Sequence, residues 1–537
     1  MGVLLIGLDG TPWSILHKWM DKGHLPAFKK IYDNSARGPL RSTIPTYTCP
    51  ALPTLFTGKS QGKTGVFGFT YPDGTPVSLR TMKDYKLWSI LSMNGKTSCI
   101  VNVRMLYPVE ELNGVMISGN PAPSEESDYV FPRELKKRIA GFRHIEDDRL
   151  SEALAVDPRK NRDKIVDIRI NMTRHRYGVF KELNAEREYD FSFFWVGGTD
   201  FMGHWFWDDE EAYLRYFKEI DALLDDISVT FNNRDIIIIS DHGMQGVQKK
   251  KFYVNTWLEK IGYLHYRGNI LSREARKIIA PKASVFLSKE RKAKLRKFLK
   301  RETTAAERAT VSPASGNVIE RLEYGSVHNI DWDKTKAFLV NDWGIEIRAD
   351  KGSEAYDQIR EDIIAKMRKL VDDNGKAIVR DVWKKEEIFN GPYLAEIPDI
   401  VFITMEDYGM GILPSREITG VINKDQYGRS DGRYFRGDHE GAIEGIFMAT
   451  GPNIKPGKLN IKAGLLDIMP TVLHMLGVPV PEDVDGIVLK ELFKEGSHAL
   501  LQDVKKKDYG RPQHHPDSLS SEENKEIIES LKQMGYM

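Results

Sequence analysis

Six short apolar runs recur along the chain, each closed by a polar or glycine-rich turn. They are VLLIGLDG (3–10), TSCIVNV (97–103), FSFFWVGGTD (191–200), DIIIISDHG (235–243), DIVFITMED (399–407) and GIFMATGP (445–452). The runs are continuous, which suits strands buried on both faces; a sheet with one wet face alternates apolar and polar residues instead. Helix-length segments between them predict crossover units, hence an α/β fold with a mostly parallel central sheet and helices on both faces. In that architecture ligands collect beyond the carboxyl ends of strands, so the polar residues that close the runs carry the most functional information.

Between about 265 and 330 the pattern changes. From Arg273 to Arg301 the chain is dense in lysine and arginine, as in KERKAKLRKFLKR (289–301), with apolar residues spaced as on amphipathic helices. This reads as a solvated helical insertion or as a basic lid over an anionic substrate. AFLVNDWGIEIRAD (337–350) and SEAYDQIREDIIAKMRKLVD (353–372) then predict a strand pair and a helix in a small α+β subdomain. The expected division is a core α/β domain over 1–264, the insertion and subdomain over 265–380, the core again over 381–499, and a polar tail over 500–537. The tail offers a capping box from Ser520 to Glu523 and a terminal helix.

A length of 537 residues suits one large domain with a smaller insertion. Lysine plus arginine (78) balance aspartate plus glutamate (77), so the global charge indicates no nucleic-acid polymer as partner. The two cysteines, Cys49 and Cys99, form at most one bridge and read as free thiols of a reduced, cytoplasmic protein. The apolar start is interrupted by Asp9 and has no basic leader, so it reads as a first strand. Runs such as IIII (236–239) are too short to span a bilayer.

The stretch TIPTYTCPALPTLFTGKSQGKT (43–64) admits three kinds of chemistry. TGKSQGKT misses a phosphate loop by one residue, with Thr57 where the first glycine belongs, and the prolines before it do not suit the preceding strand that such a loop needs. Cys49 has no partner histidine by spacing and no basic neighbour to favour a thiolate. Thr48 stands near a helix N-terminus marked by Pro50, where free amides favour an anion, and is either a cap or a hydroxyl nucleophile.

A threonine nucleophile needs help to lose its proton near neutral pH, and a divalent cation supplies it. GGTDFMGH (197–204) places Asp200 and His204 four apart, on one face of a helical turn. SDHGM (240–244) ends a strand with Asp241 and His242, GDHEG (437–441) presents His439 just ahead of another, and GLDG (7–10) presents Asp9. Three aspartates and three histidines at predicted strand ends suit two borderline ions such as Zn²⁺ or Mn²⁺.

On these motifs, with TCPALPTLFTGKSQGKTGVFGF (48–69) and the closing LLDIMPTVLHMLGVPVPEDVDG (465–486), the sequence resembles the type I phosphodiesterase/nucleotide pyrophosphatase family of the alkaline phosphatase superfamily. The resemblance implies a two-metal phosphodiesterase or phosphohydrolase acting on a small phosphate ester or diester. It implies Asp200, His204 and His439 as ligands of one ion, and Asp9, Asp241, His242 and the Thr48 oxygen as ligands of the other. Thr48 would then form a phosphothreonine that water hydrolyses. A phosphotransferase or mutase of the same superfamily and a catalytically silent anion-binding relative are the alternatives. Ala51 departs from the family, which usually carries asparagine directly after Thr-x-Pro; Asn102 is the candidate substitute amide for holding the phosphate. Trp195, Phe201, Trp205, Phe206 and Trp207 are expected mostly in the core, with one or two lining the site.

Overall fold

The computed structural model describes residues 2–71, 75–120, 127–139, 142, 150, 153–154, 158–267, 330–411, 415–421, 435–512 and 519–533. The basic stretch at 273–301 lies outside the described residues. Those described fall into two compact units, one drawn from 1–69, 75–247 and 427–537, the other from 70–74 and 248–426.

The first unit is built on a sheet of β1 (Val3–Leu8), β2 (Ala36–Arg41), β3 (Ser98–Val103), β4 (Gly114–Ser118), β5 (Val130–Phe131), β6 (Phe191–Val196), β7 (Asp235–Ile239), β8 (Glu444–Thr450) and β9 (Gly457–Lys458). Their order is β9-β2-β8-β7-β1-β6-β3-β4-β5. The central neighbours β7, β1, β6, β3 and β4 pair in parallel, whereas β8 runs antiparallel to both β7 and β2. Every residue of β1, β3, β6 and β7 is buried, as their unbroken apolar runs require.

Helices cover both faces. Leu4, Ile6 and Leu8 join one apolar cluster with the helices Arg162–Glu186 and Glu210–Thr230. On the opposite face the Phe56 and Phe193 rings meet with centroids 6.4 Å apart, seating the helix Thr48–Thr57 there. Each fully buried Leu, Ile or Phe contributes about 1.5–3 kcal/mol.

Close packing also makes one glycine indispensable. Gly7 pairs with Trp195 across the β1–β6 ladder, and a Cβ at Gly7 would lie 1.9 Å from that indole. Gly7→Ala is expected to cost about 1–3 kcal/mol by overpacking. The loss should register as a lower urea midpoint at unchanged m-value.

The second unit holds a four-stranded antiparallel sheet in the order Ala337–Asn341, Gly344–Ile347, Ile400–Thr404, Val379–Lys384, with the helix Glu354–Arg368 packed on it. The strand pair and helix expected over 337–372 are therefore present. The run at 399–407 corrects the sequence expectation, because Ile400–Thr404 does not belong to the parallel sheet. It lies between two antiparallel partners in the second unit, which takes in residues from 248 to 426 rather than from 265 to 380. The strand is buried throughout, and continuous apolarity reports burial without reporting strand direction. In the tail, Ser520 and Glu523 exchange backbone-to-side-chain hydrogen bonds at the start of the helix Ser521–Gln533. Among the described residues no helix is long and apolar enough to cross a membrane.

Candidate active site

Strand direction gathers the sequence candidates at one edge of the sheet. β1 ends into Asp9 and Gly10, and β7 ends into Asp241 and His242. β6 feeds the helix Gly198–Phe206, which carries Asp200 and His204 one turn apart. The chain leaves β2 toward Thr48, the first residue of the helix Thr48–Thr57. Because β8 is antiparallel, its start lies where the parallel strands end, and the loop ahead of it carries His439. A short antiparallel ladder, Gly437–Asp438 with Gln245–Gly246, ties that loop to the one following His242. Gly10 has φ 59°, and a Cβ there would approach Asp200 Oδ1 to 2.8 Å, so the turn after β1 needs a residue without a side chain.

Thr48 Oγ1 lies 3.2 Å from His242 Nε2 and 3.4 Å from Asp9 Oδ1. His242 Nε2 is in turn 3.4 Å from Asp241 Oδ2 and 3.7 Å from Asp9 Oδ1. On the other side His204 Nε2 is 3.4 Å from Asp200 Oδ1. The His439 ring centroid lies 4.5 Å from that of His242 and 5.1 Å from that of His204. The ligand atoms form two groups, Asp200 with His204 and His439, and Asp9 with Asp200 and His242, each mutually within 4.8 Å. The first trio is the one the family resemblance implies. In the second, Asp200 stands beside Asp9 and His242, while Asp241 flanks them through its contact with His242 and accepts a hydrogen bond from Gly10 N through Oδ1 at 3.2 Å.

Two imidazoles are held in the tautomer that a cation needs. His204 Nδ1 lies 2.9 Å from Gly437 O, and His242 Nδ1 lies 2.9 Å from Gly243 O. A carbonyl only accepts, so each Nδ1 carries the hydrogen and each Nε2 turns its lone pair into the site.

The electrostatics call for positive charge. Burial pushes the Asp9 carboxyl well above the usual carboxylate range, and the Asp241 and Asp200 carboxylates add to the rise; the Arg104 guanidinium and the Trp195 indole pull it back. Asp200 Oδ1 and Asp241 Oδ2 are buried and accept no hydrogen bond. Buried carboxylate oxygens are costly unless paired. A cluster of carboxylate oxygens and imidazole nitrogens without thiolates matches a borderline divalent cation such as Zn²⁺ or Mn²⁺. The residues present therefore fit such ions.

The remaining candidates have structural duties. Cys49 and Cys99 are buried free thiols; Cys49 Sγ donates to Gly68 O, and burial pushes Cys99 up to about 12. In the near-miss phosphate loop, Gly58 ends a helix in a left-handed turn, Lys59 pairs with Asp84 at 2.7 Å, and Lys63 pairs with Asp485. Asn102 lies at the end of β3 as expected, where its amide donates to Trp195 O at 2.8 Å and so ties β3 to β6. Trp195, Trp205 and Phe206 are buried, and Phe201 and Trp207 are partly so.

Two contacts were not foreseen from the sequence. Trp195 Nε1 donates to Asp9 Oδ2 at 3.2 Å, and Arg104 Nη1 lies 3.2 Å from the same oxygen. Arg104 follows Asn102 by two residues at the same strand end, so the rule that singles out residues closing apolar runs reaches its neighbourhood but not its side chain.

The family model described as type I phosphodiesterase / nucleotide pyrophosphatase matches residues 3–411. No curated protein matches. Among solved structures, murine ectonucleotide pyrophosphatase/phosphodiesterase 5 is similar over 89% of this chain and 96% of its own, at 14% identity and a TM-score of 0.46. Phosphonoacetate hydrolase from Sinorhizobium meliloti 1021 in complex with phosphonoformate is similar over 89% and 95%, at 14% identity and a TM-score of 0.49. Family match, sheet topology and clustered Asp and His side chains agree. The chain belongs to the type I phosphodiesterase/nucleotide pyrophosphatase family of the alkaline phosphatase superfamily, and is a hydrolase acting on phosphoric ester bonds.

Proposed function

We propose that this chain hydrolyses small phosphate esters or diesters through a phosphothreonine formed on Thr48. The observation that carries the reading is the position of Thr48 Oγ1, within 3.4 Å of both His242 Nε2 and Asp9 Oδ1, at the head of a helix and beside two groups of ligand atoms. Asp200, His204 and His439 would hold one divalent ion, and Asp9, Asp241, His242 and Thr48 Oγ1 the other, with Asp200 close enough to the second group to lend its charge to both. Bound there, Zn²⁺ or Mn²⁺ would supply the charge that favours the Thr48 alkoxide and neutralises the phosphoryl oxygens.

Thr48 Oγ1 gives up its proton and forms a bond to phosphorus as the bond from phosphorus to the leaving oxygen breaks, and the leaving oxygen takes up a proton to depart as the alcohol. Water then delivers its oxygen to phosphorus, the Thr48 Oγ1–phosphorus bond breaks, and Thr48 regains its proton. The helix N-terminus under Thr48 favours the anionic group through both steps. Two buried, unbridged cysteines support a reducing compartment, the cytoplasm.

The test is hydrolysis of bis-p-nitrophenyl phosphate and p-nitrophenyl phosphate by the full chain before chelation, after it, and after adding back Zn²⁺ or Mn²⁺. Chelation should abolish turnover, and one of the two ions should restore it. Inactivity toward both esters, or hydrolysis that ignores the chelator, would overturn the proposal.

A further inference from the structure

Among the described residues, the only non-glycine residues with positive φ are Asn102 at 62° and Met105 at 65°. They bracket Val103 and Arg104 in one turn at the end of β3. Side-chain-bearing residues adopt this conformation at a cost, and such strain persists only where the surroundings enforce it. The turn is held on both sides. Asn102 Nδ2 donates to Trp195 O at 2.8 Å, Gly119 N donates to Val103 O at 2.7 Å, and a Cβ at Gly119 would meet Asn102 O at 2.5 Å.

The strained turn delivers the Arg104 guanidinium to Asp9, with Nη1 3.2 Å from Oδ2. Gly197 makes room for it, since a Cβ there would stand 3.2 Å from Arg104 Nε. Trp195 Nε1 donates to that same Asp9 oxygen at 3.2 Å. The other oxygen, Oδ1, faces Thr48 Oγ1 at 3.4 Å and His242 Nε2 at 3.7 Å. An ion pair between the buried Asp9 and the partly exposed Arg104 adds little net stability, so the pair alone does not account for strained backbone on both sides of it.

We infer that Arg104 is a positioning residue for Asp9: with the Trp195 indole it holds Oδ2 and thereby commits Oδ1 to the side of Thr48 and His242. The inference rests on the proposed function, because Oδ1 matters there as a partner of the cation and of the nucleophile. Arg104 acts through Asp9, and its planar fork sets the carboxylate's orientation in a way that the point charge of lysine reproduces only partly.

The test compares Arg104→Gln and Arg104→Lys with the full wild-type chain. Zn²⁺ affinity is measured by competition with a chromophoric chelator, kcat and KM with bis-p-nitrophenyl phosphate, and the urea midpoint on metal-free protein. Arg104→Gln should weaken Zn²⁺ binding by about 10–100-fold and lower kcat by a similar factor with KM nearly unchanged, while the metal-free urea midpoint falls because the buried Asp9 carboxyl loses its partner. Arg104→Lys should fall between the two. Wild-type Zn²⁺ affinity and kcat in Arg104→Gln would overturn the inference; should that variant not fold, wild-type values in Arg104→Lys would do the same. A wild-type chain that neither binds Zn²⁺ nor hydrolyses the ester would instead reject the proposed function and this role with it. A competent wild type beside an unaffected Arg104→Gln would reject the role of Arg104 alone.

Discussion

Replacing Thr48 with alanine is expected to lower turnover by at least about a thousandfold while leaving metal bound, since Asp9, Asp241 and His242 remain to hold the second ion. The hydroxyl is the atom proposed to bond to phosphorus, and alanine offers no substitute. The fold should tolerate the change, because Thr48 is the first residue of its helix and alanine is the best helix former. Thr48→Ser keeps a hydroxyl and should retain measurable activity. Thr46 provides the contrast. Its Oγ1 donates to His439 O at 2.6 Å, so Thr46→Ala loosens one anchor of the His439 loop. That loss is worth about one neutral hydrogen bond, and turnover should fall by no more than about tenfold. Kinetics on the three variants, with elemental analysis of each, decide the matter. An active Thr48→Ala beside an inactive Thr46→Ala would place the nucleophile at the wrong threonine.

Asp200→Asn should empty more of the centre than any single histidine replacement. Asp200 is the one residue common to both groups of ligand atoms, whereas His204 and His439 belong to one and His242 to the other. It is also buried, with an oxygen that accepts no hydrogen bond and so has charge to share. Asparagine matches its shape but removes the negative charge from both groups. We expect Asp200→Asn to bind both ions more weakly by at least about a hundredfold, with turnover falling at least as far. His204→Gln should weaken chiefly one ion. Metal-to-protein ratios after dialysis against a weak chelator distinguish these outcomes. Two retained ions in Asp200→Asn would mean that it serves neither group.

Much of this was legible before folding. The runs at β1, β3, β6, β7 and β8 read as buried strands, and each of the six Asp and His candidates followed from its place beside such a run. Other elements left no such mark. β2 contains Pro39 and buries its residues unevenly, so its run does not read as part of a large sheet, although it leads the chain toward Thr48. Ile400–Thr404 has the apolarity of a parallel core strand and lies in the other unit.

By itself the sequence determined which side chains sit where the chain leaves the sheet. A strand buried on both faces must be apolar along its length, and a carboxylate or imidazole is tolerated where the strand ends. Strand order decided the rest. With β1 between β7 and β6, and β3 next to β6, Asp9 meets Asp241 and His242 on one side and Asp200 on the other, while the β3 turn brings Arg104 to its far oxygen. The indole hydrogen bond of Trp195 to Asp9, the pairing of Arg104 with Asp9 and the meeting of Asp200 with Asp9 and His439 arise between segments far apart in the chain. Local sequence carries no record of such distances, because they are set by which strands become neighbours and how closely their ends pack.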